Sequence, residues 1–292
     1  TRGLGAGGNP EVGKAAAEES RDDLIRVLRD SDLVFITCGE GGGTGTGSAP
    51  IIAEIAKSEG AIVVGVVTLP FSTEIGRIGH AKKGVERLRK FVDTLVVIDN
   101  NRLLEIAPDL PIIEAFSVAD EVLATMVKGI TETISLPSLI NLDYADVRTI
   151  LTAGGVAIVG VGESCGDENR VDDAIFDALN SPLLDVDISG ARGALIHICG
   201  GNDMTLAEAN SVAAKISNKM DVNDSMVIWG ARVSDEFEGY LRVMLLITGI
   251  KSPQIFGTQF DRNKSENYKP KVSKEKFGLS DEIFNIEELS YD

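Results

Sequence analysis

The sequence predicts an α/β protein, with a parallel-sheet domain joined by a long central helix to a smaller α+β domain. Three observations support this prediction. Between residues 32 and 99, short apolar runs alternate with amphipathic runs, which is typical of strand–helix–strand units. Residues 111–136 are apolar over much of a helical circumference, which indicates a helix buried between two bodies. Beyond residue 145, the pattern becomes helix, strand, helix, strand, helix, strand, strand.

The first domain carries the clearest element boundaries. Ser48 is a suitable N-cap for a helix, Pro50 fits its first turn, and Gly60 follows as a stop signal. Alternating strands and helices require crossover connections, so the sheet is expected to be parallel. The predicted elements are strand 32–38, helix 48–59, strand 61–69, helix 81–91 and strand 94–98.

Beyond residue 110, the sequence predicts one long helix followed by the strands of a second domain. Pro137 ends the long helix, and four later apolar runs read as strands of the second domain. These runs cover residues 156–161, 193–199, 225–229 and 242–248. The predicted divisions are 1–110, the parallel-sheet domain; 111–137, the central helix; 138–257, the α+β domain; and 258–292, a flexible tail.

The charge balance disfavours two classes of partner. The 292 residues include 28 Lys and Arg against 45 Asp and Glu, a net charge of −17. Such a field repels polyanions, so no nucleic acid partner is expected, nor an anionic membrane surface. The longest apolar runs, such as residues 61–69, are too short for direct membrane insertion.

The cysteines and histidines exclude several kinds of site. Cys38, Cys165 and Cys199 are far apart and form no C-x-x-C pair, which favours a reducing cytoplasm over a disulfide framework or zinc cage. His80 and His197 are the only histidines, so a His-rich metal site is excluded.

The two ends of the chain prompt separate expectations. The sequence begins with Thr1 rather than Met, so we expect a piece of a longer protein. The tail is polar, and two interpretations stay open for it: a disordered segment, or a linker ending in a docking motif at residues 277–292. In the second case Leu279, Ile283 and Ile286 would share one helical face.

A glycine-rich loop between a strand and a helix is the strongest functional signal. It comprises Gly41, Gly42, Gly43, Thr44, Gly45, Thr46 and Gly47. Glycines let the backbone approach a ligand, and a helix N-terminus offers unpaired N–H groups to phosphate. No Lys or Arg occurs between Arg29 and Lys57, which excludes a Walker A loop. Ser48 stands where a dinucleotide fingerprint needs glycine. The alternative is a glycine turn that serves packing only.

Two motifs carry a resemblance to a known family. Residues 41–47 resemble the signature loop of the tubulin/FtsZ superfamily in its prokaryotic form, and residues 141–148 are similar to the N-x-D-x-x-D loop of FtsZ. The similarity runs from Gly3 to about Gly257 and has an archaeal character. It implies a Rossmann-like GTPase domain, binding of GTP or GDP with Mg²⁺, and a cytoplasmic cell-division protein at the division site.

The resemblance also implies a set of nucleotide-binding residues. The loop residues would hold the phosphates, and Glu74 and Arg77 would lie near the ribose. Asn100, Phe116 and Asp120 would surround guanine, with Phe116 packed on the base and the Asp120 carboxylate accepting from two guanine N–H groups. The complete set is Ala6, Gly7, Gly8, Gly41, Gly42, Gly43, Thr44, Gly45, Thr46, Glu74, Arg77, Asn100, Phe116 and Asp120.

Each of these assignments has a purely structural alternative. Phe116 alone would be read as a core residue, Asp120 as a surface acid, and Glu74 with Arg77 as a surface ion pair. The first stretch, residues 5–8, would look the same in a flexible terminus.

The catalytic residues implied by the resemblance are Asn141, Asp143 and Asp146. Members of the family stack head to tail, so these residues would complete the nucleotide site of the adjacent subunit and polarise the attacking water. A local alternative is that Asp143 caps the helix over residues 144–151 with Asp146 as its partner. The predicted partners are the chain itself and division or membrane-tethering proteins that bind the tail.

The sequence departs from the family at four places. An initial strand and its phosphate loop are absent before Thr1, and the spacing from Glu74 to Arg77 is one residue short. Glu40 stands where the family has an apolar residue, and Asp99 replaces a proline. These departures predict weaker nucleotide binding. They leave open an alternative function as a nucleotide-holding structural or regulatory paralogue that does not hydrolyse GTP, whereas the intact Asn141, Asp143 and Asp146 favour a polymerising GTPase.

Overall fold

The computed structural model describes most of the two predicted domains. The described residues are 3–106, 109, 111–135, 140, 143–153, 155–165, 169–180, 188, 190–220 and 225–250. In chain order the elements are α1 (Pro10–Glu19), α2 (Arg21–Leu28), β1 (Leu33–Gly39), α3 (Thr44–Ser58), β2 (Ile62–Leu69), α4 (Ile75–Leu88), β3 (Thr94–Asp99), α5 (Asn101–Ile106), α6 (Ile112–Ser135), α7 (Tyr144–Thr152), β4 (Val156–Cys165), α8 (Arg170–Leu179), β5 (Gly193–Gly200), α9 (Leu206–Ser217), β6 (Met226–Val233) and β7 (Tyr240–Ile250).

The strands form one seven-stranded sheet in the order β1-β2-β3-β4-β7-β5-β6. Strands β1 to β4 are parallel, and β7 runs antiparallel between β4 and β5. The two halves of the sheet meet through a short ladder, in which Leu95 pairs with Val156 and Val96 with Ala157. The carboxyl ends of β1, β2 and β3 therefore lie at one edge of the sheet. The α/β fold-class prediction is confirmed.

The strand sequences explain the layers. Six consecutive residues of β2 are buried, as expected for a parallel strand covered on both faces. The long helix α6 buries Val122, Met126 and Ile130, which recur every four residues on one face. These side chains pack in one core with Val66 of β2 and Leu246 of β7. The central helix thus contacts both halves of the sheet.

The helix boundaries depart most from the sequence predictions. Helix α3 begins at Thr44 rather than Ser48, and Ser48 is no N-cap because its hydroxyl donates to the Thr44 carbonyl at 2.7 Å. Helix α4 begins at Ile75, six residues before the predicted start. In both helices the first turn contains glycines, whose low helix propensity hides the boundary from sequence patterns.

Three helices were not predicted at all: α1 and α2, which precede β1, and α5, which follows β3. Pro10 is the first residue of α1, and Asn9 before it is the N-cap, whose side chain accepts from the Glu11 N–H. Helix α1 lies directly on α3, because Gly47 leaves room for the Pro10 carbonyl: a Cβ at Gly47 would lie 2.0 Å from it. Of the helices that the structure describes, none is long and apolar enough to cross a membrane.

Candidate functional site

The residues that follow β1, β2 and β3 meet at the carboxyl edge of the sheet. The Glu40 N–H donates to the Thr68 carbonyl at 2.9 Å, and the Asn100 N–H donates to the Leu69 carbonyl at 3.3 Å. Open α/β sheets bind ligands beyond the carboxyl ends of their strands. The glycine loop, the segment after β2 and Asn100 are therefore placed together where a ligand is expected.

The glycine loop forms the entry to α3. Gly43 is the N-cap residue, and the next three residues form the first helical turn. The Gly41 N–H donates to the Thr46 hydroxyl at 2.9 Å, and Gly41 has a φ of 99°, which favours glycine. A Cβ at Gly42 would meet no atom within 4 Å, so the space over the loop is open. The unpaired N–H groups of this first turn form an anion-binding end.

The first predicted stretch, Ala6 to Gly8, lies against this loop. The Ala6 N–H donates to the Thr44 hydroxyl at 3.2 Å, and a Cβ at Gly43 would lie 2.8 Å from the Ala6 Cβ. Gly7 and Gly8 are exposed with φ values of 59° and 77°. The structure thus brings two glycine-containing segments to the same place.

Glu74 and Arg77 lie beside the loop and pair with each other. Their side chains form an ion pair at 2.7 Å, and Glu74 Oε1 also accepts from the Phe71 N–H at 3.0 Å. The surface ion pair considered as an alternative is therefore present. Its position is at the site nevertheless, because a Cβ at Gly41 would lie 2.9 Å from the Arg77 Cβ.

The aromatic and acidic residues of α6 extend the same edge. Phe116 packs edge-on against Phe71, with ring centroids 6.0 Å apart and an interplanar angle of 68°. Phe116 is 39% exposed, so the core interpretation of this residue is wrong. Asp120 is also exposed and follows Phe116 by four residues, which places both on one face of the helix.

Asp143 and Asp146, here called the acidic loop, lie at the opposite end of β1 from the glycine loop. The Tyr144 hydroxyl donates to the carbonyl of Asp32, the residue before β1, at 2.8 Å. Asp143 precedes Tyr144, whereas Glu40 and the glycine loop follow β1. Seven strand residues separate these ends, a distance of about 20 Å. One copy of the chain therefore cannot bring both groups to one ligand.

The N-cap interpretation of Asp143 is present in the structure. The Asp143 carboxylate accepts from the Ala145 N–H at 3.3 Å, and the Asp146 N–H donates to the Asp143 carbonyl at 3.0 Å. Asp143 is exposed and Asp146 is half-buried. Asn141 lies outside the described residues. The cap fixes the Asp143 carboxylate at the start of α7, and this does not conflict with a second role at an interface.

The glycine loop, residues 41–47, and the adjoining Ala6–Gly8 segment together form what we call the cradle. Glu40 is an unusual charge in this cradle, and its carboxyl group turns into the protein. The side chain is 4% exposed, and a Cβ at Gly84 of α4 would lie 2.0 Å from Glu40 Oε2. Desolvation raises the pKa of Glu40 to about 7, and the neighbouring Thr46 and Cys38 side chains only partly oppose this. The expected repulsion beneath the loop is reduced because a neutral form is accessible near pH 7.

The donor set bears on Mg²⁺. Across the described residues, no group of three or more His, Cys, Asp or Glu side chains could hold a metal ion. Mg²⁺ commonly keeps several waters and binds through substrate phosphates, with few protein ligands. The cradle therefore fits a metal that enters with a phosphate ligand rather than a protein-only metal centre.

Sequence reasoning missed three supporting residues. Asn9 caps α1, and its backbone N would lie 2.7 Å from a Cβ at Gly43. The signal for it was present, because Asn followed by Pro is a common helix start. Phe71 supports Phe116, and Tyr144 anchors the acidic loop. No local sequence pattern predicts the Phe71–Phe116 contact or the Tyr144–Asp32 hydrogen bond, because each joins residues that are distant in sequence.

Comparisons with known proteins agree on one family. A family model described as the GTPase domain of the Tubulin/FtsZ family matches residues 1–108, and one described as the C-terminal domain of the FtsZ family matches residues 155–251. The chain is 54% identical over 277 residues to cell division protein FtsZ 2 of Methanocaldococcus jannaschii, covering 94% of this chain and 72% of that protein. It is 53% identical over 258 residues to cell division protein FtsZ 1 of Archaeoglobus fulgidus, covering 88% and 70%.

Solved structures agree with this result. An empty FtsZ dimer from M. jannaschii matches with a TM-score of 0.81 at 54% identity, covering 86% of this chain and 73% of that one. The GDP-bound monomer of CetZ1 from Haloferax volcanii matches with a TM-score of 0.73 at 23% identity, covering 87% and 78%, which supports the fold alone.

The fold and the site define an α/β protein with a mostly parallel sheet, a lysine-free glycine loop at the carboxyl edge of β1–β3 and an acidic loop at the amino edge. Two matching family models and relatives above 50% identity identify the family. The chain belongs to the tubulin/FtsZ family of GTPases and, within it, to the FtsZ cell-division proteins.

The buried Glu40 predicts a pH-dependent stability difference. The folded-state pKa lies above the ordinary value of 4.5, so the contribution of Glu40 to stability is full below about pH 4.5 and is lost as pH rises through about 7. A shift of this size corresponds to roughly 3 kcal/mol. Relative to the native chain, Glu40→Gln should therefore gain unfolding free energy as pH rises across this window.

Urea denaturation of both proteins at matched pH values measures this difference. The pKa of Glu121 is also raised, so each protein alone has a pH-dependent background that cancels in the comparison. A difference between the two proteins that stays constant with pH would show that Glu40 is ionised in the folded state throughout.

Proposed function

We propose that this chain binds GTP or GDP at the glycine loop, assembles head to tail, and hydrolyses GTP with the acidic loop of the adjacent subunit. The observation that carries the proposal is the position of these two loops at opposite ends of β1, anchored at one end by the Tyr144–Asp32 hydrogen bond. Two copies stacked along the strand direction would bring the acidic loop of one onto the cradle of the next.

The phosphates are proposed to bind without lysine. Residues 43–46 supply backbone N–H groups and hydroxyls at the start of α3, where the helix dipole favours negative charge. The Ala6–Gly8 segment lies within contact of the loop and would face the outer phosphates. Mg²⁺ would bind through phosphate oxygens and water, and it would neutralise part of the phosphate charge.

The base is proposed to bind between Phe116 and the segment after β3. The ring of Phe116 is partly exposed and is held by Phe71, so it offers a face for stacking. Asp120 lies one turn further along α6, and a carboxylate accepts from both N–H groups on the guanine edge. Asn100 adds an amide at the end of β3, while Arg77 and Glu74 lie where the ribose would follow.

Hydrolysis is proposed to require two subunits. Asp143 and Asp146, with Asn141, would polarise the attacking water, while the cradle holds the phosphates in place. The contact is heterologous, because the two surfaces differ, and a heterologous contact that does not close propagates as a filament. The M. jannaschii FtsZ relative described as a dimer supports self-association.

The cellular role follows from the family. We propose that the filaments form at the division site in the cytoplasm and that the tail, which lies outside the described residues, binds division or membrane-tethering proteins. The alternative is a nucleotide-holding paralogue that does not hydrolyse GTP. Turnover measured against protein concentration separates the two, because assembly-dependent hydrolysis starts above a threshold concentration, whereas a passive binder shows no turnover.

Substitution of Asp143 tests the shared active site. Asp143→Asn keeps an oxygen for the helix cap but removes the charge, whereas Asp143→Ala removes both. Both variants should bind GTP as the native chain does and lose at least roughly 100-fold in GTP turnover. Turnover and nucleotide affinity are measured separately, the first above the assembly threshold.

The control is Asp173→Asn, which removes an exposed acid from the first turn of α8. It should hydrolyse GTP at the native rate. If Asp143→Asn keeps full turnover while Asp143→Ala loses it, Asp143 acts only as a cap and the catalytic assignment is wrong.

Substitution of Asp120 tests the base assignment. Xanthine has a carbonyl where guanine has an amino group, so Asp120→Asn can accept from one N–H and donate to this carbonyl. The variant should lose GTP affinity and gain xanthosine triphosphate affinity, each by roughly 10- to 100-fold. Asp120→Ala is the control and should weaken both. Unchanged GTP binding by Asp120→Asn would place the base elsewhere.

Deletion of residues 277–292 tests the docking motif. GTP-dependent assembly, followed by sedimentation, should remain, because the folded domains are intact. Localisation of a tagged chain to the division site in cells should be lost. Replacing residues 258–276 with a Gly-Ser segment of equal length is the control and should keep both. Loss of assembly on deletion would refute a role limited to docking.

A further inference from the structure

Glu40 joins the glycine loop to the interior of the first domain. It lies between β1 and Gly41, and its backbone N–H is held by the Thr68 carbonyl of β2. The carboxyl group projects between α3 and α4, where a Cβ at Gly84 would lie 2.0 Å from Glu40 Oε2 and 2.6 Å from the Thr46 Cγ2. Gly84 thus creates the space that the carboxyl group occupies.

The carboxyl group is buried with few partners. Within the described part of the chain, Glu40 Oε2 has no hydrogen-bond partner, and Oε1 has the Cys38 thiol at 3.9 Å. A buried carboxylate with so little compensation is costly, whereas a neutral carboxyl is much less so. Burial accordingly raises the pKa of Glu40 to about 7.

The groups that face Glu40 are few and mostly uncharged. Strand β1 contributes Cys38, whose thiol stays neutral because burial and Glu40 raise its pKa to about 12. Helix α3 contributes Thr46, and α4 contributes Gly84. The charges of α4 lie elsewhere: Arg77 pairs with Glu74, and His80 is exposed. No charged side chain among the described residues contributes to the shift at Glu40.

The loop above shares a residue with this pocket. The Thr46 hydroxyl accepts from the Gly41 N–H at 2.9 Å, and the Thr46 Cγ2 borders the same space at Gly84 that the Glu40 carboxyl group occupies. A charge on Glu40 therefore acts on the loop through its field beneath residues 41–45, next to the Thr46 side chain that binds the Gly41 N–H.

We propose that Glu40 is a positioning residue that couples nucleotide binding at the glycine loop to the uptake of one proton. The inference rests on the proposed function. A phosphate anion above the loop and a carboxylate beneath it repel each other in a poorly solvated site. Binding of the nucleotide therefore favours the neutral carboxyl, and the proton comes from solvent. Because such coupling is reciprocal, a lower pH tightens nucleotide binding.

The expected size follows from the linkage. If the bound nucleotide raises the pKa of Glu40 by about one unit, affinity changes about tenfold across the transition. The native chain should bind GDP about fivefold more tightly at about pH 6 than at about pH 8, relative to Glu40→Gln, because the full tenfold change extends beyond this range. The relative measure is needed because the terminal phosphate of the nucleotide also titrates in this range, and the ratio of the two proteins removes that effect.

The experiment titrates the full chain with a fluorescent GDP analogue, which avoids hydrolysis, across this pH range. Calorimetry in two buffers of different ionisation enthalpy measures the protons taken up, and uptake should be larger for the native chain than for Glu40→Gln. His80→Gln is the matched control, since histidine is the other residue type that titrates here. Its pH profile should follow the native one.

The outcomes separate the inference from the function on which it rests. If the native chain binds no guanine nucleotide at any pH, the proposed function fails. If the native chain and Glu40→Gln bind GDP with parallel pH profiles and equal proton uptake, the inference fails and the function stands. If His80→Gln abolishes the pH dependence, the coupling belongs to His80 and the inference also fails. Glu40→Leu replaces Glu40→Gln if the latter does not fold, because no charged side chain of the described residues faces this space.

Discussion

The candidate site depends on one constraint: the glycine loop and the first turn of α3 pack very closely against their neighbours. A Cβ at any of four loop glycines would lie within 3 Å of another backbone or side-chain atom. These glycines are Gly41, Gly43, Gly45 and Gly47. Gly41 contacts α4 and Gly43 contacts the segment from Ala6 to Asn9. Gly45 contacts β1, and Gly47 contacts α1. The loop is thus a packed junction of four elements, and its open side at Gly42 is left for a ligand.

The same constraint explains why the cradle needs no lysine. A helix start held this rigidly presents its N–H groups in fixed directions, so they require little reorganisation when an anion binds. A lysine would add a mobile charge to a site that already has oriented donors. Arg77, a cation beside the loop, is instead held by Glu74. Positioning at this site comes from the backbone rather than from side-chain charge.

The polarity of β1 sets the relation between the two functional regions. The strand begins next to Tyr144 and ends at the glycine loop. Two surfaces fixed at the ends of one rigid strand cannot approach each other within a chain, so any joint chemistry needs a second copy.

The sequence predicted the strands well because short apolar runs rich in β-branched residues, such as the one in β2, strongly favour buried strands. It predicted helix starts poorly because glycine has low helix propensity, and both α3 and α4 begin with glycine-containing turns. The glycine-loop motif correctly indicated where the cradle lies.

The direction of the Glu40 side chain could not be predicted, because it depends on the space at Gly84, a residue 44 positions away. The contact between Phe71 and Phe116 shows the same limit, since only the fold shows that they meet at the open edge of the sheet.

The two unusual acids at the site have opposite structural consequences. Asp99 Oδ1 accepts from the Asn101 N–H at 2.9 Å and from its side-chain amide at 2.6 Å, and Asn101 in turn accepts from the Ser72 N–H at 2.8 Å. This network ties the end of β3 to the segment after β2, so it can replace the rigidity of a proline next to Asn100. Among the described residues, Glu40 has only the Cys38 thiol as a hydrogen-bond partner for its carboxyl group, so it is accommodated mainly by burial. Any weakening of nucleotide binding by these departures is therefore expected from Glu40, and it should diminish as that carboxyl group becomes neutral.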